Sequence, residues 1–153
     1  MTTTLTPLTP SRLAHMNATA NCAYEIAKTI FGKTENKARQ LYVLGLLHDV
    51  GYAFDPDDHA HAGGSVLISL GVEIDAVYDH GDPTVGFMDD ELLIINAADM
   101  TTSPTGTPIR IEDRLKDIGD RYGADSPHLA LAREVADRIK YELAKRGLPT
   151  SWL

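Results

Sequence analysis

The sequence has too few cysteines for a disulfide framework. Cys22 is the single cysteine among 153 residues, which excludes an internal disulfide and a cysteine-rich zinc module. It lies among alanines in a segment with helical periodicity, where we interpret it as a small core residue. A metal site in this chain would therefore have to use histidine and carboxylate ligands.

Positive charge and long apolar runs are also scarce. The chain has 14 Lys and Arg against 22 Asp and Glu, a formal net charge of -8, which argues against a nucleic acid duplex or an anionic membrane as partner. No apolar run approaches the roughly 20 residues of a membrane span. The opening sequence, MTTTLTPLTP, lacks the basic and apolar regions of a signal peptide. We therefore expect a cytoplasmic protein.

The strict apolar-polar alternation of a half-buried strand is missing, and so is any internal repeat. Apolar residues recur instead at helical spacing, between capping residues and glycines. We predict an all-α fold, a bundle of six or seven helices forming one domain over residues 1–153. The predicted helices run from Pro10 to about Thr29, from Thr34 to Val50–Gly51, from His59 to Leu70, from Ile74 to His80–Gly81, from Asp89 or Asp90 to Met100, from Ile111 to Tyr122 and from Ser126 to Gly147.

Five of the six histidines fall between residues 15 and 80, most of them near the ends of predicted helices. His48 and Asp49 end the second helix, and Asp99 lies in the last turn of the fifth. Imidazole and carboxylate are the ligands that zinc, iron and manganese accept together. Burying both carboxylates in apolar helix ends costs roughly several kcal/mol each unless a cation compensates them. These residues alone leave open a simpler interpretation, in which they cap their helices and meet solvent.

The order His, His-Asp, His, His, Asp along predicted helices resembles that of the HD-domain metal-dependent phosphohydrolases. The resemblance runs from Arg12 to about Thr102. It implies an HD-domain helical bundle and a first metal held by four residues, which are His15 in RLAHMNATANCAYEIA, His48 and Asp49 in LLHDVGYAF, and Asp99 in IINAADM.

The third predicted helix, HAHAGGSVLISLGV, contains two histidines that point to different sides of a helix. Family members with a second metal resemble H-x-x-x-G-A-x-x-L-x-x-x-G here, and only counting from His59 places the glycines in register. We therefore expect His59 as a ligand, with His61 as the alternate.

His80, in AVYDHGD, resembles the next ligand of two-metal members. Relatives often have a histidine pair where this chain has Asp79 and His80. The resemblance thus implies one or two divalent ions, of which iron, manganese or zinc are expected.

Tyr52 departs from the family, many members of which have lysine there in HDIGK. Arg12, one turn before His15, resembles a phosphate-facing arginine of some members, so we expect it to bind substrate. The resemblance implies attack of metal-activated water on a nucleotide or another small phosphate ester, with Asp49 as a catalytic residue. Two alternatives remain, an HD-type di-iron oxygenase and a non-catalytic regulatory module that binds metal or nucleotide.

The rest of the chain carries no recognisable chemistry. We predict a metal-site part over about 10–102 and a C-terminal helical scaffold over about 108–147. Three arginines of that scaffold, and the histidine that opens its last helix, are predicted to lie at the surface: Arg110, Arg114, Arg121 and His128. The sequence leaves the oligomeric state open.

Overall fold

A computed structural model describes residues 5–72 and 75–153 of the chain. Within these ranges the fold is all-α, as predicted, with one isolated bridge between Thr102 and Pro108 and no strand. Two short 3₁₀ turns, Val50–Ala53 and Pro56–Asp58, connect the second helix to the third. The seven α helices are α1 Pro10–Thr29, α2 Glu35–Leu47, α3 His59–Ser69, α4 Asp75–Asp79, α5 Asp90–Met100, α6 Ile111–Tyr122 and α7 Pro127–Lys145.

Side-chain caps explain where the long helices begin. The hydroxyl oxygens of Thr9, Thr34 and Ser126 each accept a hydrogen bond from the backbone N–H three residues later, which satisfies one of the free donors of a helix N-terminus. Asp89, rather than Asp90, caps α5, since its Oδ1 accepts from Leu92 N at 2.8 Å. The predicted starts of α1, α2, α6 and α7 are confirmed to within a residue.

Four helix ends come earlier than predicted. Helix α4 ends at Asp79, before the predicted His80–Gly81, and α7 ends at Lys145, before the predicted Gly147. Helix α2 ends at Leu47, not at Val50–Gly51, because the backbone at Asp49 leaves the helical region (φ -103°, ψ 10°) and continues as a 3₁₀ turn. Helix α3 ends at Ser69, one residue before the predicted Leu70. The predicted start of the fourth helix at Ile74 lies outside the described residues, and α4 is described from Asp75.

Helix α5 is the centre of the core and packs against α1, α2, α4 and α7. Nearly all of its residues are buried: Leu92, Leu93, Ile94, Ile95, Asn96, Ala97, Ala98 and Met100. Asp99, the one carboxylate of its last turn, is thus held at the middle of the bundle. The described helices include none that is both long and apolar enough to cross a bilayer.

Glycines allow close approaches on either side of the His48–Asp49 pair. A Cβ added at Gly45 would lie 2.9 Å from Ala20 Cα, so α1 and α2 touch there backbone to backbone. A Cβ added at Gly51 would lie 1.7 Å from the carbonyl oxygen of His59. Larger residues at these positions would push α1 and α3 away, and with them the histidines that they carry.

A candidate metal centre

Six side chains from five separate segments converge at the middle of the bundle. We call them the His/Asp cluster: His15 on α1, His48 and Asp49 after α2, His59 at the start of α3, His80 after α4, and Asp99 on α5. Four of them are almost fully buried, with exposed fractions of 0% for His48, 1% for His15, 2% for Asp49 and 4% for His80. The structure therefore brings together every residue that the sequence predicted as a ligand, except the alternate His61.

Backbone carbonyls fix the orientation of three of the imidazole rings. The Nδ1 atoms donate to carbonyl oxygens at 2.6–2.8 Å, from His15 to Ser103, from His48 to Gly45 and from His80 to Val77. Because a carbonyl only accepts, Nδ1 must carry the proton in each ring, and Nε2 of the neutral ring keeps its lone pair. This hydrogen bond on the far nitrogen is the arrangement found behind most metal-bound histidines.

Asp49 lies between two sets of these nitrogens. Its Oδ2 is 3.4 Å from Nε2 of His48 and 3.7 Å from Nε2 of His15. Its Oδ1 is 3.4 Å from Nε2 of both His59 and His80. Asp99 joins the first set, since its Oδ1 is 2.9 Å from Nε2 of His15. One carboxylate therefore faces both halves of the cluster.

The cluster does not satisfy its own hydrogen-bonding groups. Among the described residues, the buried Nε2 of His48 has no hydrogen-bond partner. The Nε2 atoms of His59 and His80 face each other at 3.2 Å, and only a shared proton or a cation makes that approach favourable. An unsatisfied buried polar atom costs about 1–3 kcal/mol. A divalent cation would accept these lone pairs, and the mixture of imidazole and carboxylate suits zinc, iron or manganese. The residues present thus fit a metal ion.

Three members of the cluster have protonation states that suit a cation. Burial opposes ionisation of Asp49, but His48 and His80 hold the pKa of its carboxyl well below the usual value. Burial likewise opposes ionisation of Asp99, whose pKa is nevertheless lowered by the neighbouring His15 and His48. Burial lowers the pKa of His59 to about 4. At neutral pH the two carboxylates are anionic and His59 is neutral, which are the forms that bind metal. For His15 and His80, burial lowers the pKa but hydrogen bonds to Asp99 and Asp49 raise it overall, so a metal ion would displace their Nε2 protons.

Arg12 brings a positive charge to the edge of the cluster. Its Nη1 donates to Asp49 Oδ2 at 2.7 Å, and its guanidinium lies 3.8 Å from the centroid of the Tyr52 ring. Tyr52 in turn stacks on His59, with ring centroids 4.2 Å apart. The chain thus has a cation beside Asp49 although Tyr52 stands where the family resemblance led us to expect lysine. The role of Arg12 in binding substrate stays a prediction.

The two histidines that remain lie outside the cluster. The side chain of His61 is 46% exposed, lies 3.1 Å from Asp58 Oδ1 and stacks on Tyr78. His128 is exposed, as predicted, and stacks on Tyr122. The geometry therefore favours His59 over His61, in agreement with the glycine register of α3.

Arg114 corrects the sequence interpretation. Arg110 and Arg121 are exposed as predicted, whereas the side chain of Arg114 is only 12% exposed and its Nη2 lies 4.0 Å from Asp99 Oδ1. It is not a surface charge, because α6 packs beside the cluster on the side of Asp99. One signal for this was present, since Arg114 and the apolar Ile118 are four residues apart and share a helix face. No such signal pointed to Ser103, whose carbonyl oxygen accepts a hydrogen bond from His15, because the two residues are far apart in sequence.

One comparison with known families gives a match. A family model described as HD domain matches residues 12–140. The matched range includes the whole His/Asp cluster, and it continues beyond Thr102 through α6 and most of α7. No curated protein and no solved structure matches the chain.

Proposed function

The chain belongs to the HD domain family, and from that premise we propose that it is a metal-dependent phosphohydrolase of a nucleotide or another small phosphate ester. Members of this family are mostly metal-dependent phosphohydrolases. In the proposed reaction, the oxygen of a water molecule forms a bond to phosphorus while the bond between phosphorus and the leaving oxygen breaks. For a phosphomonoester the products are an alcohol and inorganic phosphate, with the proton of the water passing to the leaving oxygen.

One observation carries the proposal, namely the buried Nε2 of His48, which has no hydrogen-bond partner in the part of the chain that the structure describes. It points toward Asp49 and Asp99, at 3.4 and 3.6 Å from their nearer oxygens. A structural histidine at 0% exposure is expected to use both ring nitrogens. An unused nitrogen that faces two carboxylates is typical of a ligand position.

We propose two adjacent ion positions that share Asp49. His15, His48, Asp49 and Asp99 would hold one ion, and His59, His80 and Asp49 would hold the other. A bound divalent ion of this kind lowers the pKa of a water molecule and polarises a phosphoryl oxygen. Iron, manganese and zinc are the expected ions.

Two residues of the chain have proposed roles toward substrate and water. Arg12 would turn from Asp49 to the phosphate, where two N–H groups of its planar guanidinium would donate to two phosphate oxygens. Asp49 would orient the attacking water, because an ionised carboxylate only accepts hydrogen bonds. A chain of formal net charge -8 needs such local positive charge in order to bind a phosphate ester.

The test is hydrolysis of a panel of nucleoside monophosphates, dinucleotide polyphosphates and p-nitrophenyl phosphate, with manganese, iron, cobalt or zinc added. It is followed by phosphate release and, for the dinucleotide polyphosphates, by chromatography of the mononucleotide products. We expect the wild-type protein to hydrolyse at least one of them. Asp49→Asn should lower kcat/KM at least about 100-fold, since metal ions contribute several kcal/mol to such reactions. His61→Ala is the matched control and should keep the wild-type rate.

Other results would assign a different function. Equal release by the wild-type protein and Asp49→Asn would contradict the hydrolase. Oxygen consumption by the iron-loaded protein on an organic substrate, without phosphate release, would favour an oxygenase. Nucleotide-dependent thermal stabilisation without turnover of any substrate would favour a regulatory module.

A further inference from the structure

A cavity of about 210 Å³ adjoins the His/Asp cluster. One side of it is lined by Arg12, Asp49 and Asp99, and the other side by residues of α6 and α7. Ligand pockets for larger organic molecules usually measure about 300–1,000 Å³. A small ester would fit in this cavity beside the cluster, and a second cavity of about 360 Å³ adjoins the cluster at His59 and His80.

Arg114 of α6 lines this cavity, and two nitrogens of its guanidinium are buried behind the cavity wall. Within residues 5–72 and 75–153, its buried Nε and Nη1 have no hydrogen-bond partner. The nearest carboxylate oxygens are 3.7 Å away on Asp117 and 4.0 Å away on Asp99. A guanidinium that lines a cavity and is only loosely paired is suited to an anionic oxygen, and Nη2, the nitrogen on the side of Asp99, is the donor that would contact it. Arg121, which also lines the cavity, is already paired with Asp117 at 2.7 Å.

The side of the cavity away from the cluster combines apolar residues with Arg121 and His128. Ile118 of α6 and Leu131 and Val135 of α7 line it, and Leu131 is 49% exposed. Tyr122 also lines this side, stacked on His128 with ring centroids 4.2 Å apart. A flat apolar group would bury surface against Ile118, Leu131 and Val135, while the one arginine on this side, Arg121, is already paired with Asp117.

We propose that the substrate is a phosphomonoester with an aromatic leaving group, bound with its ring against Ile118 and Leu131 and with a phosphate oxygen on Arg114. The proposal rests on the proposed hydrolase function and adds to it the class of substrate. Helices α6 and α7 then form the wall that selects the leaving group, while the cluster and Arg12 hold the phosphate.

The test compares phenylphosphonate with methylphosphonate, which carry the same charged group but lack the ester bond that the proposed reaction breaks. Their dissociation constants are measured by calorimetry on the manganese-loaded protein. We expect phenylphosphonate to bind the wild-type protein at least about tenfold more tightly, because the ring buries apolar surface. Leu131→Ala should reduce this ratio, and Arg114→Gln should weaken both phosphonates.

Matched controls separate these effects from general damage to the protein. Val43→Ala removes methyl groups from a residue of similar exposure, 48%, that lines no part of this cavity. Arg133→Gln removes an exposed arginine of α7. Both controls should bind the two phosphonates as the wild-type protein does. Arg114→Lys, which keeps the charge, provides a second variant if Arg114→Gln does not fold, and it should also weaken both phosphonates.

The outcomes distinguish this proposal from the hydrolase on which it rests. Equal affinity of the wild-type protein for the two phosphonates, or no binding of either one, would overturn the proposed substrate class. So would full retention of the affinity ratio in Leu131→Ala. Phosphate release that depends on Asp49 would still support the hydrolase in each of these cases. Absence of phosphate release from every ester would refute the hydrolase itself.

Discussion

Two buried groups of polar side chains in this molecule differ in how many of their polar atoms have a hydrogen-bond partner. One is the His/Asp cluster, and the other is a clamp around Glu142 of α7, which is 5% exposed. In this Glu142 clamp, Arg138 donates to Oε1 at 3.0 Å and Arg146 donates to Oε2 at 2.7 Å. Further donors of the two arginines reach Asp90 and the carbonyls of Pro83, Val85 and Met88.

The Glu142 clamp and the His/Asp cluster show that buried polar side chains can serve either the stability of the fold or a function. The Glu142 clamp is closed, since each carboxylate oxygen has a charged donor and the arginines tie α7 to the loop before α5. The cluster is open, since His48 keeps a buried nitrogen without a partner among the described residues. A closed group contributes specificity and stability to the fold. An open group needs a bound ligand, here a metal ion, to provide the missing partners. The clamp and the cluster should therefore respond differently to substitution and to added metal.

The largest expected effect is on activity at the open group. His48→Ala removes the nitrogen that lacks a partner. We expect it to lose stoichiometric metal and to release phosphate at least about 100-fold more slowly than the wild type. Metal content is measured by mass spectrometry after gel filtration. His61→Ala, a substitution of an exposed histidine near the cluster, should leave both quantities unchanged. Full metal occupancy in His48→Ala would contradict the ligand assignment.

The next effect is on stability at the closed group. Glu142→Leu leaves two arginines without their carboxylate, and breaking a buried pair costs about 3–5 kcal/mol. Because Arg138 and Arg146 remain 22% and 21% exposed, we expect the lower end, about 3 kcal/mol, in urea unfolding of the metal-free protein. Metal bound per folded molecule should not change. Glu134→Leu, on an exposed position of α7, is the control and should cost much less.

Added metal should stabilise a variant of the clamp more than a variant of the cluster. A ligand present at about 100 times its dissociation constant stabilises the folded state by about 2.7 kcal/mol. We expect manganese to stabilise the wild-type protein and Glu142→Leu by the same increment, because the clamp and the cluster do not share a residue. His48→Ala should gain much less. A smaller increment in Glu142→Leu than in the wild type would show that the two groups are coupled.

The smallest effect is a pH dependence of the clamp. Burial alone would raise the pKa of Glu142, but the hydrogen bonds from Arg146 and Arg138 hold that pKa below its ordinary value. The unfolded state therefore binds the proton first, so the stabilisation is complete above the ordinary glutamate pKa of about 4.3 and is lost as pH falls below it. Metal-free wild type should exceed Glu142→Gln in stability near neutral pH, and the difference should shrink toward about pH 3. A constant difference would contradict this account.

Much of the fold follows from local signals in the sequence. Thr9, Thr34 and Ser126 cap helices where their residue type and position predict, because a cap depends on only a few neighbouring residues. The end of α2 does not follow from local signals. The apolar pattern continues to Val50, but the backbone at Asp49 turns out of the helix, where the start of α3 lies against Gly51. That contact joins separate segments, which periodicity does not report.

In the candidate site, too, some features were predicted from the sequence and others depend on packing between distant segments. The family resemblance in the order of histidines and aspartates predicted which residues meet, and the glycines of α3 favoured His59 over His61. The carbonyl of Ser103, which orients His15, and the buried Arg114 depend on how distant segments pack. Arg114 shares a helix face with the apolar Ile118, but Arg121, three residues after Ile118, does so as well. Spacing on α6 therefore did not distinguish the buried arginine from the exposed one.

The central claim is that the cluster is open because it holds metal. An anomalous-scattering map from crystals grown with manganese tests this most directly. The account predicts a peak bounded by Nε2 of His15, Nε2 of His48 and the carboxylates of Asp49 and Asp99, with His61 outside the coordination sphere. A map in which manganese is absent from the cluster, from a protein that still releases phosphate, would contradict it.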